Sequence, residues 1–195
     1  ENINYGKIII EDGTTSIHPI WSPDDKKFLY LSNKENDYFS QTDLYVYQFS
    51  DSNSYKIASN VYTAATWVND STIIYTKRSK PNKWGSKLFD LYSYTFKTKK
   101  EKRLTTSRRF TSPTYNSNTK QLAVITSFDG TSNILIASDV DIDEKEILFK
   151  PMTLLDNGMQ IFSLSWVKNE LYVDALYHQG RQIYKLDFDS GLLES

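Results

Sequence analysis

One aromatic position recurs along this sequence, and it constrains the fold more than any other feature. It closes four similar runs: His18-Pro19-Ile20-Trp21, Ala64-Ala65-Thr66-Trp67, Ser112-Pro113-Thr114-Tyr115 and Ser163-Leu164-Ser165-Trp166, each followed by a polar turn. The aromatics stand 46, 48 and 51 residues apart. Behind each comes a short apolar run: Phe28-Leu29-Tyr30-Leu31, Ile73-Ile74-Tyr75, Leu122-Ala123-Val124-Ile125 and Leu171-Tyr172-Val173. Runs this short, bounded by Asn, Asp, Ser and Lys, read as strands buried on both faces. A third strand follows at Asp43-Leu44-Tyr45-Val46-Tyr47, Asp90-Leu91-Tyr92-Ser93-Tyr94, Asn133-Ile134-Leu135-Ile136 and Gln182-Ile183-Tyr184-Lys185-Leu186. Outer strands are expected at Tyr55-Lys56-Ile57-Ala58, Glu101-Lys102-Arg103-Leu104-Thr105 and Glu146-Ile147-Leu148-Phe149.

Four strands in about 40–50 residues are the strand count and period of a propeller blade. A lone blade cannot cover both of its faces, whereas stacked blades can. No stretch keeps apolar residues at helical spacing over about twelve residues. The expected fold is therefore all-β, a β-propeller of four-stranded antiparallel blades. The blades divide as 12–60, 61–106, 107–158 and an incomplete 159–195. Residues 1–11, with Gly6-Lys7-Ile8-Ile9-Ile10, read as the outer strand of a preceding blade. That strand either closes a four-bladed ring or belongs to a larger array, and the larger ring is the reading adopted.

Composition narrows the function classes. A net charge of −1 argues against a strongly basic nucleic-acid binder. With no cysteine, disulfides, thiolate metal sites and cysteine nucleophiles are excluded, while the redox compartment stays open. No apolar run approaches the roughly 18 residues of a membrane span. The first residues do not pair a basic segment with an apolar one, as a secretion signal would, and a mature secreted chain has the same look. Lysine outnumbers arginine 18 to 5 amid many Asn, Ile and Tyr, a bias of AT-rich bacterial genomes.

The motifs resemble those of the TolB-like, or WD-like, β-propeller repeat family. That family's blade reads S-P-x-W-S-P-D-G-K-x-I-A-F, then D-G-x-x-D-I-Y, then R-L-T. Pro19-Ile20-Trp21-Ser22-Pro23-Asp24 matches the first block, with Asp25 where the family has Gly. Ser112-Pro113-Thr114-Tyr115 matches it with Tyr for Trp, Asp129-Gly130-Thr131-Ser132-Asn133-Ile134-Leu135 matches the second block, and Arg103-Leu104-Thr105 matches the third. The second and fourth units keep only the aromatic and the strand pattern. The resemblance implies a non-catalytic binding module of a bacterial envelope or secreted protein, periplasmic or extracellular. Its alternative is the regulatory propeller of a tricorn-like or prolyl-oligopeptidase-like peptidase whose catalytic domain lies elsewhere. Fold alone does not choose between them.

No catalytic residue, metal or cofactor is assigned. A serine triad needs a histidine beside its nucleophile. His18 reads as a loop or channel residue and His178 as a turn residue, and no G-x-S-x-G elbow is present. The inner strands carry no carboxylate, which argues against a glycosidase. The run Asp139-Val140-Asp141-Ile142-Asp143-Glu144 lacks the Gly and Glu of a calcium loop and reads as a solvated turn. Lys97-Thr98-Lys99-Lys100-Glu101-Lys102-Arg103 reads as a basic edge that blocks strand pairing rather than a nucleic-acid site.

The candidate binding surface is a rim. Loops joining the second and third strands share one end of a propeller with the links between blades. In the first two units these loops are long, roughly residues 32–42 and 77–89. They carry Tyr38 and Phe39, then Arg78, Lys80, Lys83, Trp84 and Lys87, and the link between units adds Arg108, Arg109 and Phe110. Aromatics and cations on loop tips suit recognition of a protein or peptide, and the cations favour an acidic one.

Overall fold

The computed structural model describes residues 6–128, 130–143, 147–178 and 180–194. It is all-β, with four antiparallel four-stranded sheets and no helix among the described residues. Blade 1 comprises β1 (Ser16–Trp21), β2 (Lys27–Ser32), β3 (Asp43–Gln48) and β4 (Asn53–Ala58). Blade 2 comprises β5 (Thr66–Asn69), β6 (Thr72–Arg78), β7 (Phe89–Thr95) and β8 (Lys100–Arg103). Blade 3 comprises β9 (Phe110–Asn116), β10 (Gln121–Phe128), β11 (Thr131–Ala137) and β12 (Lys150–Pro151). Blade 4 comprises β13 (Gln160–Val167), β14 (Glu170–Tyr177), β15 (Gly180–Leu186) and β16 (Leu193–Glu194). In every blade the strands neighbour one another in chain order, as in a propeller.

The turn after the first anchor shows how local sequence sets this geometry. Ser22 Oγ donates to Asp24 Oδ1 at 2.6 Å and to the Lys27 carbonyl at 2.9 Å. Asp25, standing where the repeat pattern has Gly, takes the left-handed backbone at φ 55°. Aspartate tolerates that region better than most side chains. His18 and Ser112, each three residues before an anchor, also have positive φ, beside register shifts in β1 and β9. These bulges bend the innermost strands.

The apolar strands pack face to face across the seams between blades. Leu29, Leu31, Leu44 and Val46 of blade 1 meet Trp67, Ile73, Tyr75 and Tyr92 of blade 2. Ile74 and Leu91 meet Leu122 and Val124 at the next seam, and Ala123, Ile125, Ile134 and Ile136 meet Leu171 and Val173 at the third. At two seams the anchor indole reaches back to the previous blade. Trp67 Nε1 donates to the Ile20 carbonyl at 3.2 Å, and Trp166 Nε1 donates to the Thr114 carbonyl at 3.2 Å. Both acceptors directly precede an anchor, so one bond joins equivalent points. Each indole also stacks on a phenylalanine after the third strand: Trp67 on Phe96 and Trp166 on Phe188.

A second device ties each link to the start of the third strand. Asp90 is fully buried and accepts from Arg103 Nη2 at 2.7 Å, from Thr105 Oγ1 at 3.2 Å and from the Arg108 amide at 3.1 Å. The Arg103-Leu104-Thr105 motif thus closes on one carboxylate. Asp43 repeats the pattern with Lys56 at 2.6 Å and the Asn60 amide at 2.9 Å. Asn133 does so with Thr153 Oγ1 and the Leu155 amide.

Three sequence expectations change. Residues 6–11 form no strand; instead Ile10 packs against the aromatic cluster of Phe28, Tyr30, Tyr45 and Tyr47. The fourth blade is not missing its last strand, because β16 pairs with β15 through Leu186 and Leu193. The outer strand of blade 3 lies at Lys150–Pro151 rather than at 146–149, of which Glu146 is outside the described residues, as are Asp129 and Glu144. Trp67 is 7% exposed whereas Trp21 is 55% exposed. Trp21 stacks on Phe49 like its counterparts, but no core cluster of the described residues brings another blade onto that face. The opposite end differs in kind. Tyr172, Asp174, Ile183 and Lys185 stand where blade 3 has Ala123, Ile125, Ile134 and Ile136, and Asp174 pairs with Arg181.

Two outcomes follow for stability. Trp67→Ala removes a buried indole and should cost about 3–5 kcal/mol, while Trp21→Ala should cost about 1 kcal/mol, as for a largely exposed site. Equal costs in urea unfolding would contradict the seam assignment. Asp90→Ala removes the shared acceptor of the Arg103 guanidinium, the Thr105 hydroxyl and the Arg108 amide, for an expected loss of about 2–4 kcal/mol. A loss below about 1 kcal/mol would show the carboxylate to be dispensable.

Candidate binding rim

Topology brings the long loops to one end. The loop between β2 and β3 (residues 33–42), the loop between β6 and β7 (79–88) and the links 59–65 and 104–109 all leave the sheets on the same side. Their bases are fixed. Val61 donates to the Thr42 carbonyl at 3.0 Å, Thr42 Oγ1 donates to the Val61 carbonyl, and the Ser79 amide donates to the Leu88 carbonyl at 2.8 Å. Tyr62 of the first link meets the Phe89 ring edge-on.

The tip of the 79–88 loop is organised by Asn82, which the sequence reading did not single out. Its Oδ1 accepts from the Trp84 and Ser86 amides, each at 3.0 Å, and its carbonyl accepts from Gly85 at 2.9 Å. Gly85 sits at φ 80°, a region in which a side chain is strained. The Pro-Asn-x-x-Gly spacing was the available signal, since Asn commonly closes turns through its own side chain. The knot presents Trp84 to solvent, 76% exposed, with Lys83 Nζ 4.1 Å from the ring centroid. A cation at that range is held by the ring quadrupole.

The expected rim residues separate into four groups. Tyr38, Phe39, Lys80, Lys83, Trp84 and Lys87 are all exposed on the two long loops. Arg78 is part of the base, its guanidinium 5.4 Å from both the Tyr62 and Phe89 rings. Arg108 and Arg109 lie exposed on the link, with Arg109 at φ 59°. Phe110 is a core residue instead: 3% exposed, it packs on Phe149 at 4.9 Å as the first residue of β9. Its place at the mouth of an inner strand turns it inward.

Other singled-out residues have structural settings. His18 is exposed at the β1 bulge, and His178 packs edge-on against Tyr177 at 4.2 Å. Among the described residues no group of three or more His, Asp and Glu could hold a metal ion. In the basic edge run, Glu101 binds Lys77 at 2.6 Å and accepts the Tyr75 hydroxyl, and Lys102 Nζ donates to the Ile142 carbonyl. Burial, reinforced by that Glu101 bond, pushes the Tyr75 phenol above its ordinary range.

Solved structures share this architecture. Similar folds include TolB from Acinetobacter baumannii, with a TM-score of 0.69 at 17% identity, covering 95% of this chain and 44% of that one. A putative TolB from Agrobacterium tumefaciens gives a TM-score of 0.64 at 14% identity, covering 96% of this chain and 82% of that one. The tricorn protease gives 0.64 at 10% identity, covering 91% of this chain and 22% of that one. The chain has the fold of TolB-like β-propellers. It spans under half the length of the Acinetobacter TolB. No family model matches the sequence, and no curated protein matches it. At these identities the likeness concerns fold, and the same fold appears in a protease.

Proposed function

We propose that this chain is a non-catalytic propeller module that captures a protein or peptide, in an envelope-associated or secreted bacterial protein. The observation that carries the reading is Trp84, held out into water by the Asn82 knot among Lys80, Lys83 and Lys87. An indole left in water forgoes about 2–3 kcal/mol of burial. Ordering it beforehand lowers the entropy lost when a partner covers it. Phe39 and Tyr38 on the adjacent blade supply two further exposed rings, 75% and 66% exposed. The lysines select an acidic segment or a chain-terminal carboxylate. The envelope setting rests on the likeness to TolB.

The likeness to the tricorn protease supports a second reading, in which the propeller serves a peptidase whose catalytic domain is outside this chain. A hydrolase domain encoded beside this segment would decide for it.

The rim is tested by titrating acidic peptides of varied sequence and following tryptophan fluorescence. Trp84→Ala with Phe39→Ala should weaken binding at least about tenfold, while stability shifts by less than about 1 kcal/mol. Affinity should also fall as salt screens the exposed lysines. Peptide binding unchanged in the double variant would remove the rim from the function.

A further inference from the structure

The four blades repeat the stack of anchor and phenylalanine with one exception. Trp21–Phe49, Trp67–Phe96 and Trp166–Phe188 are stacked ring pairs. In blade 3 the equivalent positions hold Tyr115 and Asp139, as the registers of β9, β10 and β11 show. The seam partners on blade 2 change as well. Where blade 1 presents Lys27, Val46 and Gln48, blade 2 presents Thr72, Ser93 and Thr95. At the first seam Lys27 Nζ lies 5.4 Å from the Trp67 ring and 5.9 Å from Phe96, filling the groove. At the second seam these small side chains leave the strand ends open, Lys102 crosses the seam to the Ile142 carbonyl instead, and a cleft of about 760 Å³ opens there.

We infer that this cleft between blades 2 and 3 is a binding site for a neutral polyhydroxylated ligand, a saccharide of one or two rings. Its volume lies within the range of small-molecule sites. Tyr115 lines it with a partly buried ring, a surface on which the C–H face of a sugar packs. The hydroxyls of Thr72, Ser93 and Thr95 line it too, and none hydrogen-bonds to a described residue. Each is both donor and acceptor, the complement of a sugar hydroxyl. Three lysines, Lys102 and Lys120 among them, and four carboxylates, Asp139 and Asp141 among them, line the walls, so both signs are present in near balance and a neutral ligand is favoured over a strongly charged one. Thr72 opens β6 and Thr95 closes β7, so the cleft lies at the far end of blade 2 from the Trp84 loop. It is a second surface, independent of the rim.

The test is an amide-resolved NMR titration of the chain with cellobiose, maltose and diacetylchitobiose. At least one should give saturable millimolar shifts at Thr72, Ser93, Thr95 and Tyr115. Tyr115→Trp with Asp139→Phe restores the stack of the other blades and should abolish those shifts while the spectrum stays folded. Ser93→Ala with Thr95→Val removes two of the lining hydroxyls without filling the cleft, and should weaken binding about tenfold or more. The inference is overturned if none of the three sugars shifts the seam, if the filled variant binds as the parent does, or if glucuronate binds more tightly than every neutral sugar.

Discussion

Blades 1 to 3 are sheets with two apolar faces, and that single constraint shapes the rest. A face such as Leu29, Leu31, Leu44 and Val46 is covered only by the next blade. The cover has to be placed in register, and the indole bonds from Trp67 to Ile20 and from Trp166 to Thr114 do so, each spanning about one repeat. Hydrophobic burial gives the seams most of their energy without fixing direction. The buried donor fixes it, because an indole N–H left unpaired in a closed seam would be costly.

The loops can then be free of structural duty. Asp43, Asp90 and Asn133 fasten each link at the base of the rim, so the segments beyond them carry side chains that the core does not use. This is how Trp84 can be ordered and exposed at once. The same separation holds at the second seam, where Ile74, Leu91, Leu122 and Val124 keep the blades together and the polar end is left open.

Much of the fold was legible in the sequence because the seam demands a large ring at one position per blade and short two-sided apolar runs behind it. Trp67 and Tyr75 announce themselves by period and flanking residues. Less legible were elements whose pairing depends on few residues. The two-residue strands β12 and β16 have no pattern to detect, and Lys7-Ile8-Ile9-Ile10 has a strand's composition without a partner. At the rim, Trp84 was readable because no apolar run accompanies it. Phe110 was misplaced because a residue beginning an inner strand looks, in sequence, like the last residue of a loop. The cleft was legible only as two departures from the repeat, Tyr115 and Asp139, whose joint effect needs the register to be known.

The two ends of the arc are unlike each other. One presents Trp21 and Phe49 over a cluster of tyrosines, and the other presents Tyr172, Asp174, Ile183 and Lys185 with the Asp174–Arg181 pair. A stack of repeats whose leading and trailing surfaces matched would add copies head to tail into an open filament. Here such an encounter would bury the Asp174–Arg181 pair and Lys185 against aromatic rings, at a desolvation penalty. The charged face of the fourth blade thus gives these four blades a polarity: their two outer faces are not complementary to each other.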